Sequence, residues 1–219
     1  MKLNTVIFDM DGLLIDSEPL WNEAADEIFR QYGISLSQEQ YATTTGMRVK
    51  EFVLYWFAGK GVALENAPHA ESAIVRRVIE KVEQKGLPKP GLEHIFNFFI
   101  DRRYKMGLAS SSPMSLIEVV LQRLGIQQYL QAVCSAAHLP LGKPHPQVYL
   151  DCAALLKADP HSCICFEDSF NGLIAAKAAG MKCVVVPASH DSNKPKFNAA
   201  DLKISSLQNF NDLLLNSLR

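Results

Sequence analysis

The chain has no run approaching the ~18 to 20 consecutive apolar residues of a membrane-spanning helix, so no membrane partner is expected. The first apolar run, from Val6, is cut at Asp9, and no secretory leader is expected either. Cysteine is sparse: Cys134, Cys152, Cys163, Cys165 and Cys183 are odd in number and include no C-x-x-C pair. That excludes a disulfide framework and points to a reducing, cytoplasmic setting. Cys163 and Cys165 would share one face of a strand as small buried residues rather than as metal ligands. Histidine also lacks pattern, since His69, His94, His138, His161 and His190 form no ligand spacing, and His145 between two prolines reads as a turn or cap residue. Net charge is nearly absent, at -1, which excludes the basic stripe of a nucleic-acid partner but leaves room for small anionic ligands. Solenoid repeats and low-complexity tails are missing as well.

What is present is an ordinary globular composition, 48% hydrophobic and 21% charged, over 219 residues. That length is long for one compact domain and short for two, which fits a core domain carrying an insertion. Ser17, Pro19 and the apolar positions Trp21, Ala24, Ala25, Ile28 and Phe29 predict a Ser-capped helix ending near Gly33. Helical periodicity continues from Gln38 to Lys85 in two stripes, one through Phe52, Val53, Trp56 and Phe57, the other through Ile74, Val75, Val78, Ile79 and Val82. Leu87-Pro88-Lys89-Pro90-Gly91 then reads as a linker.

Beyond the linker, short apolar runs alternate with helical patterns. Strands are expected at Tyr104 to Ala109, Ala132 to Ser135, Cys163 to Phe166, Cys183 to Val186 and Leu202 to Ile204. Helices are expected at Pro113 to Leu124, Pro146 to Leu156, Asn171 to Ala179 and near Leu207 to Leu215. Alternation of this kind builds right-handed βαβ units and a parallel sheet with helices on both faces. The run at Val6 must join that sheet. The expected fold is therefore an α/β, Rossmann-like doubly wound parallel core, residues 1–16 and 87–219, with an all-helical cap, residues 17–86, inserted after the first strand. No apolar helix face is left over, so a monomer is expected.

Ligands of an open parallel sheet bind at the carboxyl ends of its strands, so the strand ends carry the chemistry. The first ends at Asp9 and Asp11, which would face one site if the strand continued through Met10. Two carboxylates held together call for a cation. The second expected strand ends at Ser110-Ser111-Ser112 before a helix, a favourable anion site. The third leads to Gly142-Lys143-Pro144-His145-Pro146, and the fourth ends at Glu167-Asp168-Ser169 followed by Asn171-Gly172. Asn171 reads equally as a cap of its helix and as an orienting residue.

Phe8-Asp9-Met10-Asp11-Gly12, Ala109-Ser110-Ser111-Ser112, Gly142-Lys143-Pro144-His145-Pro146 and Phe166-Glu167-Asp168-Ser169 resemble, in order, the four motifs of the haloacid dehalogenase superfamily. Within it, the runs Phe8 to Leu20 and Gly142 to Ala153 look most like bacterial 2-deoxyglucose-6-phosphate and hexitol phosphatases, with the β-phosphoglucomutases close by. The resemblance implies Mg²⁺-dependent hydrolysis of small sugar or sugar-alcohol phosphates. Asp9 would be the nucleophile, already ionised near an ordinary pKa of ~4, and Asp11 the general acid and base. Ser110 and Ser111 would hold phosphoryl oxygens and Lys143 would balance the charge. The metal would take Asp9, the Asp11 backbone carbonyl and Asp168. Glu167 would be a further metal-site residue or an acceptor for Lys143.

On the cap, Glu18, Trp21 and Arg48 are the expected substrate contacts. Trp21 sits near where the mutases tend to carry a histidine, which disfavours the isomerase alternative. A second alternative is a non-enzymatic phospho-accepting receiver domain, although receivers lack a large insert after the first strand.

Overall fold

The computed structural model describes residues 2–189 and 191–219, so the expectation for His190 lies outside the described residues. Six strands form one sheet: β1 Thr5–Phe8, β2 Lys105–Ser110, β3 Ala132–Ser135, β4 Cys163–Glu167, β5 Lys182–Val185 and β6 Leu202–Lys203. Their order is β3-β2-β1-β4-β5-β6 and every pairing is parallel. The expected Rossmann-like core is thus the observed one. β1 is central, and Phe8 lies level with Leu108 of β2 and Phe166 of β4. The next residues along these strands, Asp9, Ala109 and Glu167, therefore reach one edge together.

Alternation along β1 sends Val6 and Phe8 to one face and Ile7 to the other, where separate apolar clusters cover the sheet. Helices α5 Leu92–Asp101, α6 Met114–Leu124 and α9 Asp212–Ser217 pack on the first face, and α7 Gln147–Leu155 and α8 Phe170–Ala178 on the second. Phe8 stacks on Phe96 at 5.2 Å between ring centroids and meets Phe166 at 5.4 Å, fixing the floor beneath Asp9. All five cysteines are free and buried, as expected of Cys163 and Cys165.

Three expectations shift. No element was expected between Gly91 and Tyr104, yet α5 fills that span; Leu92, Ile95, Phe96 and Phe99 recur at helical spacing and are buried with Phe98, while Glu93, Asn97 and Asp101 are exposed. The final helix is split into a 3₁₀ turn, Leu207–Asn209, and α9. Ser17 precedes its helix without capping it, because its hydroxyl is engaged elsewhere.

The inserted block is helical throughout: α1 Glu18–Phe29, α2 Gln38–Thr44, α3 Val49–Lys60 and α4 Ala67–Lys85, with no strand among the described residues between Ser17 and Gly86. Its two connections to the core run side by side, with the Asp16 amide donating to Leu87 O and the Lys89 amide to Leu14 O, both at 2.9 Å. Among the described residues no helix is long and apolar enough to cross a membrane.

Charge pairs tie α1 to α4. Lys81 donates to Glu23 at 3.0 Å and Glu27 at 2.8 Å, Lys85 to Glu23 at 2.7 Å, and Arg77 to Glu27. Hydrogen bonds from Arg77 and then Lys81 hold the Glu27 carboxyl down to about 2. A depressed carboxyl contributes stability that is full above the unfolded value and lost as pH falls through the folded one. Thermal midpoints should therefore decline from about pH 4.5 toward pH 2, and Glu27→Gln should flatten part of that decline; a profile unchanged by the substitution would count against it.

Candidate active site

β1 ends at Phe8, one residue short of the expected pair, so the two aspartates do not sit on one strand. The Asp9 amide still extends the ladder, donating to Phe166 O at 3.0 Å. The chain then turns, with the amides of Leu13 and Leu14 donating to Met10 O and that of Gly12 to Ile15 O. Gly12 allows this turn, since its φ is +75° and a Cβ there would lie 2.1 Å from Asp168 Oδ2. The turn carries Asp11 back to the cavity that Asp9 floors.

Three donors orient the Asp11 carboxylate. Ser17 Oγ donates to Oδ1 at 2.7 Å, Trp21 Nε1 to Oδ1 at 2.9 Å, and Ser112 Oγ to Oδ2 at 2.7 Å. The role of Ser112 was not foreseen, since nothing in a run of three serines separates the third from its neighbours. Ser110 is buried, its Oγ accepting from the Ser112 amide at 3.0 Å, and Ser111 Oγ donates to Gly46 O of the cap at 3.0 Å. All three serines line the cavity.

Lys143 is buried and donates to Asp9 Oδ1 at 2.5 Å, Glu167 Oε1 at 2.7 Å and Ala109 O at 3.0 Å. Burial acts to lower its pKa, but Asp9 and Glu167 outweigh that and hold it above the usual lysine range. Glu167 is fully buried. Its Oε1 accepts from Lys143 and from the Tyr149 hydroxyl at 2.5 Å, and its Oε2 from the Asp168 amide, the Ser169 amide and Ser169 Oγ. Of the roles open to it, acceptor for Lys143 is the one visible in these contacts, and five protein donors leave little lone-pair capacity for a cation. Tyr149, on a helix expected from the sequence, is not among the expected site residues; its hydroxyl brings it there.

Gly172 makes that arrangement feasible, because a Cβ there would lie 1.7 Å from Glu167 Oε1. Gly172→Ala should displace Glu167, cost about 1–3 kcal/mol of stability and lower turnover through a misplaced Lys143. Denaturant unfolding alongside a phosphate-release assay checks this; unchanged values in both would show that Glu167 is not needed where it sits.

Carboxylate oxygens of Asp9, Glu167 and Asp168 lie within 4.8 Å of one another. Burial pushes Asp9 up to about 8, with Lys143 opposing and Glu167 adding to the rise. Burial also raises Asp168 well above the carboxylate range, with Asp9 and Glu167 contributing. With three acidic groups around one lysine, the site without a cation is short of positive charge. Hard oxygen donors with a charge deficit fit a divalent cation such as Mg²⁺.

On the cap side, Glu18 and Trp21 line the cavity. Arg48 does not. Its guanidinium donates to Ala136 O at 3.3 Å and Leu139 O at 2.5 Å in the loop after β3 and pairs with Glu51, so this cation braces cap to core instead of facing the ligand space. Asn171 likewise reaches across, donating to Thr45 O at 3.2 Å, while Ser169 caps α8. His145 Nδ1 accepts from the Gln147 amide at 3.3 Å, in keeping with a turn residue. The cavity encloses about 160 Å³ between core and cap, room for a small ligand.

A doubly wound sheet whose central strand leads to a buried aspartate, with a buried lysine, an acidic cluster and a helical cap at the same edge, is the architecture of a phosphoryl-handling α/β enzyme. The chain belongs to the haloacid dehalogenase-like hydrolase family, which it matches over residues 3–180. It is 42% identical over 207 residues to hexitol phosphatase B of Escherichia coli (strain K12), covering 94% of this chain and 93% of the relative. It is 31% identical to fructose-1-phosphate phosphatase YqaB of the same organism, over 83% and 95% of the two chains. In fold it is similar to a beta-phosphoglucomutase from Clostridium difficile, with a TM-score of 0.87, 21% identity and coverage of 99% and 96%. The chain is thus an enzyme of the phosphatase kind, and the receiver-domain alternative falls.

Proposed function

We propose that the chain hydrolyses monophosphate esters of small sugars or sugar alcohols, such as 2-deoxyglucose 6-phosphate and hexitol phosphates, through an aspartyl-phosphate on Asp9. The observation that carries this reading is Asp9 held 2.5 Å from buried Lys143 at the floor of a capped cavity, with Asp11 alongside. An Asp9 oxygen attacks phosphorus as the ester P–O bond breaks, and the departing alkoxide takes a proton from Asp11. Asp11 then accepts a proton from the attacking water, and cleavage of the acyl-phosphate releases inorganic phosphate and restores Asp9. Lys143 offsets the charge on Asp9 and the phosphoryl oxygens, which Ser110, Ser111 and nearby amides hold. A Mg²⁺ ion held by Asp9, Asp168 and the Asp11 backbone carbonyl, with Glu167 behind them, would supply Lewis-acid charge neutralisation. Glu18 and Trp21 would touch the sugar.

The hydrolase reading is favoured over the isomerase one by the Trp21 contact. An indole N–H donates a hydrogen bond to Asp11 but shuttles no proton, whereas an isomerase must pass protons between two hydroxyls. We further propose a cytoplasmic monomer, consistent with free cysteines and with large exposed apolar side chains that are scattered, such as Tyr55, Leu141 and Leu213.

The test is phosphate release from sorbitol 6-phosphate and 2-deoxyglucose 6-phosphate with Mg²⁺, its loss on chelation and its return on adding the metal back. Incubation with β-glucose 1-phosphate supplies the contrast. Accumulation of glucose 6-phosphate with little free phosphate would overturn the hydrolase reading in favour of the isomerase.

A further inference from the structure

The loop from Ala136 to Gly142 joins β3 to Lys143. Its start is tied to the core, where the Ala136 amide donates to Ser110 O at 2.8 Å, and it closes on itself as the Leu139 amide donates to Ala136 O at 3.1 Å. A further tie comes from the cap. Arg48 donates to Ala136 O at 3.3 Å and Leu139 O at 2.5 Å, and its stem crosses Gly142 so closely that a Cβ there would lie 2.7 Å from Nε, 2.9 Å from Cδ and 3.0 Å from Cγ. One buried side chain of the cap thus touches both ends of the loop, and its second contact falls one residue before Lys143. Glu51 accepts from Arg48 Nε at 3.0 Å and fixes the direction of the guanidinium.

We infer that Arg48 is a positioning residue for Lys143: seated with the cap, it fixes the 136–142 loop and with it the backbone from which the Lys143 ammonium reaches Asp9. This deepens the phosphatase reading and rests on it. The ammonium is held by Asp9, Glu167 and Ala109 O, but in the proposed reaction Asp9 becomes an acyl-phosphate and ceases to be the same partner. The backbone that carries the lysine therefore has to be anchored independently of Asp9. A loop free to shift would let the ammonium drift from the phosphoryl oxygens in the transition state, and a misplacement near 1 Å costs about 100-fold. Because Arg48 bonds loop carbonyls, its loss should fall on kcat, whereas a residue that touched the sugar would act mainly on KM. Asn171 supplies a comparison, since it ties cap to core from α8, through Thr45 O at 3.2 Å.

Variants of the full chain, assayed with Mg²⁺ and sorbitol 6-phosphate, provide the test. Arg48→Ala should lower kcat by about 10- to 100-fold and change KM by less than about 3-fold. Arg48→Lys, which keeps a stem over Gly142 and one charged donor, should recover part of that loss. Gly142→Ala, whose methyl group displaces the Arg48 stem, should lose kcat to a similar degree, and combining it with Arg48→Ala should be no worse than Arg48→Ala alone. Asn171→Ala should cost no more than about 3-fold. A second readout needs no turnover: labelling with acetic anhydride followed by peptide mass spectrometry. Lys143, 3% exposed, should label several-fold faster relative to exposed Lys60 in Arg48→Ala but not in Asn171→Ala. If Arg48→Ala does not fold, Gly142→Ala carries both readouts. A rise in KM with kcat unchanged would assign Arg48 to the substrate and overturn the inference. So would equal losses in Arg48→Ala and Asn171→Ala, or Lys143 labelling that neither Arg48→Ala nor Gly142→Ala alters. Turnover of no ester by the native chain would remove the phosphatase reading and leave labelling to decide whether Arg48 holds Lys143.

Discussion

Asp9→Asn should abolish turnover, by at least about 10³-fold, while leaving the fold intact. An amide of the same shape cannot attack phosphorus, and two neighbouring carboxylates are engaged elsewhere, Asp11 with Ser17, Trp21 and Ser112, and Glu167 with Lys143, Tyr149 and backbone amides. Stability should hold or rise, because burial disfavours the charge on Asp9 and Lys143 keeps Glu167 and Ala109 O as partners. Phosphate release and a thermal melt on one preparation test both halves. Quenching the reaction early separates the two aspartates: Asp9→Asn should never trap phosphate on the protein, whereas Asp11→Asn should be phosphorylated slowly and lose the label slowly. Near-wild-type release from Asp9→Asn would end the nucleophile assignment.

Why Asp9, Ser110, Glu167 and Asp168 could be placed at one edge from the chain, while the direction of Arg48 and the full set of Glu167 partners could not, follows from where those partners come from. The first group sits at or near strand ends, and a parallel sheet brings strand ends to one edge whatever the details of packing. Arg48 bonds carbonyls 88 and 91 residues away, a contact that depends on how the cap seats on the core. Glu167 is defined by a tyrosine 18 residues before it and by a glycine that leaves it room, neither of which has a local signature. The helix Leu92–Asp101 is a different case: Leu92, Ile95, Phe96 and Phe99 recur at helical spacing and Glu93, Asn97 and Asp101 mark an exposed face, so its period is present in the sequence, beside a proline-rich linker that draws the reading to a loop. Ser17 shows the reverse error, a sound capping signal overridden because Asp11 competes for the same hydroxyl.

Lys143→Met should damage both activity and stability, unlike Asp9→Asn. Methionine fills much of the volume but leaves Asp9 and Glu167 buried without their shared cation, and removing one partner of a buried ion pair costs about 3–5 kcal/mol. Tyr149 and the amides still serve Glu167, which places the expected loss near the lower end of that range. Adding Glu167→Gln to Lys143→Met should recover part of the stability and none of the turnover, because the second change removes an unpaired charge without restoring the lysine's contact with Asp9 and the phosphoryl group. Metal-free unfolding at several pH values adds a further check. In the native protein Asp9 titrates at about 8, so the proton it holds stabilises the fold fully below the ordinary carboxylate value of 3.8, with that contribution lost as pH rises through 8. Without Lys143 the Asp9 carboxyl keeps its proton to higher pH, and the loss continues where the native protein has levelled off. The stability gap between the two proteins should therefore widen between about pH 8 and pH 10. A gap that narrowed with rising pH would mean that Lys143 does not hold the charge of Asp9.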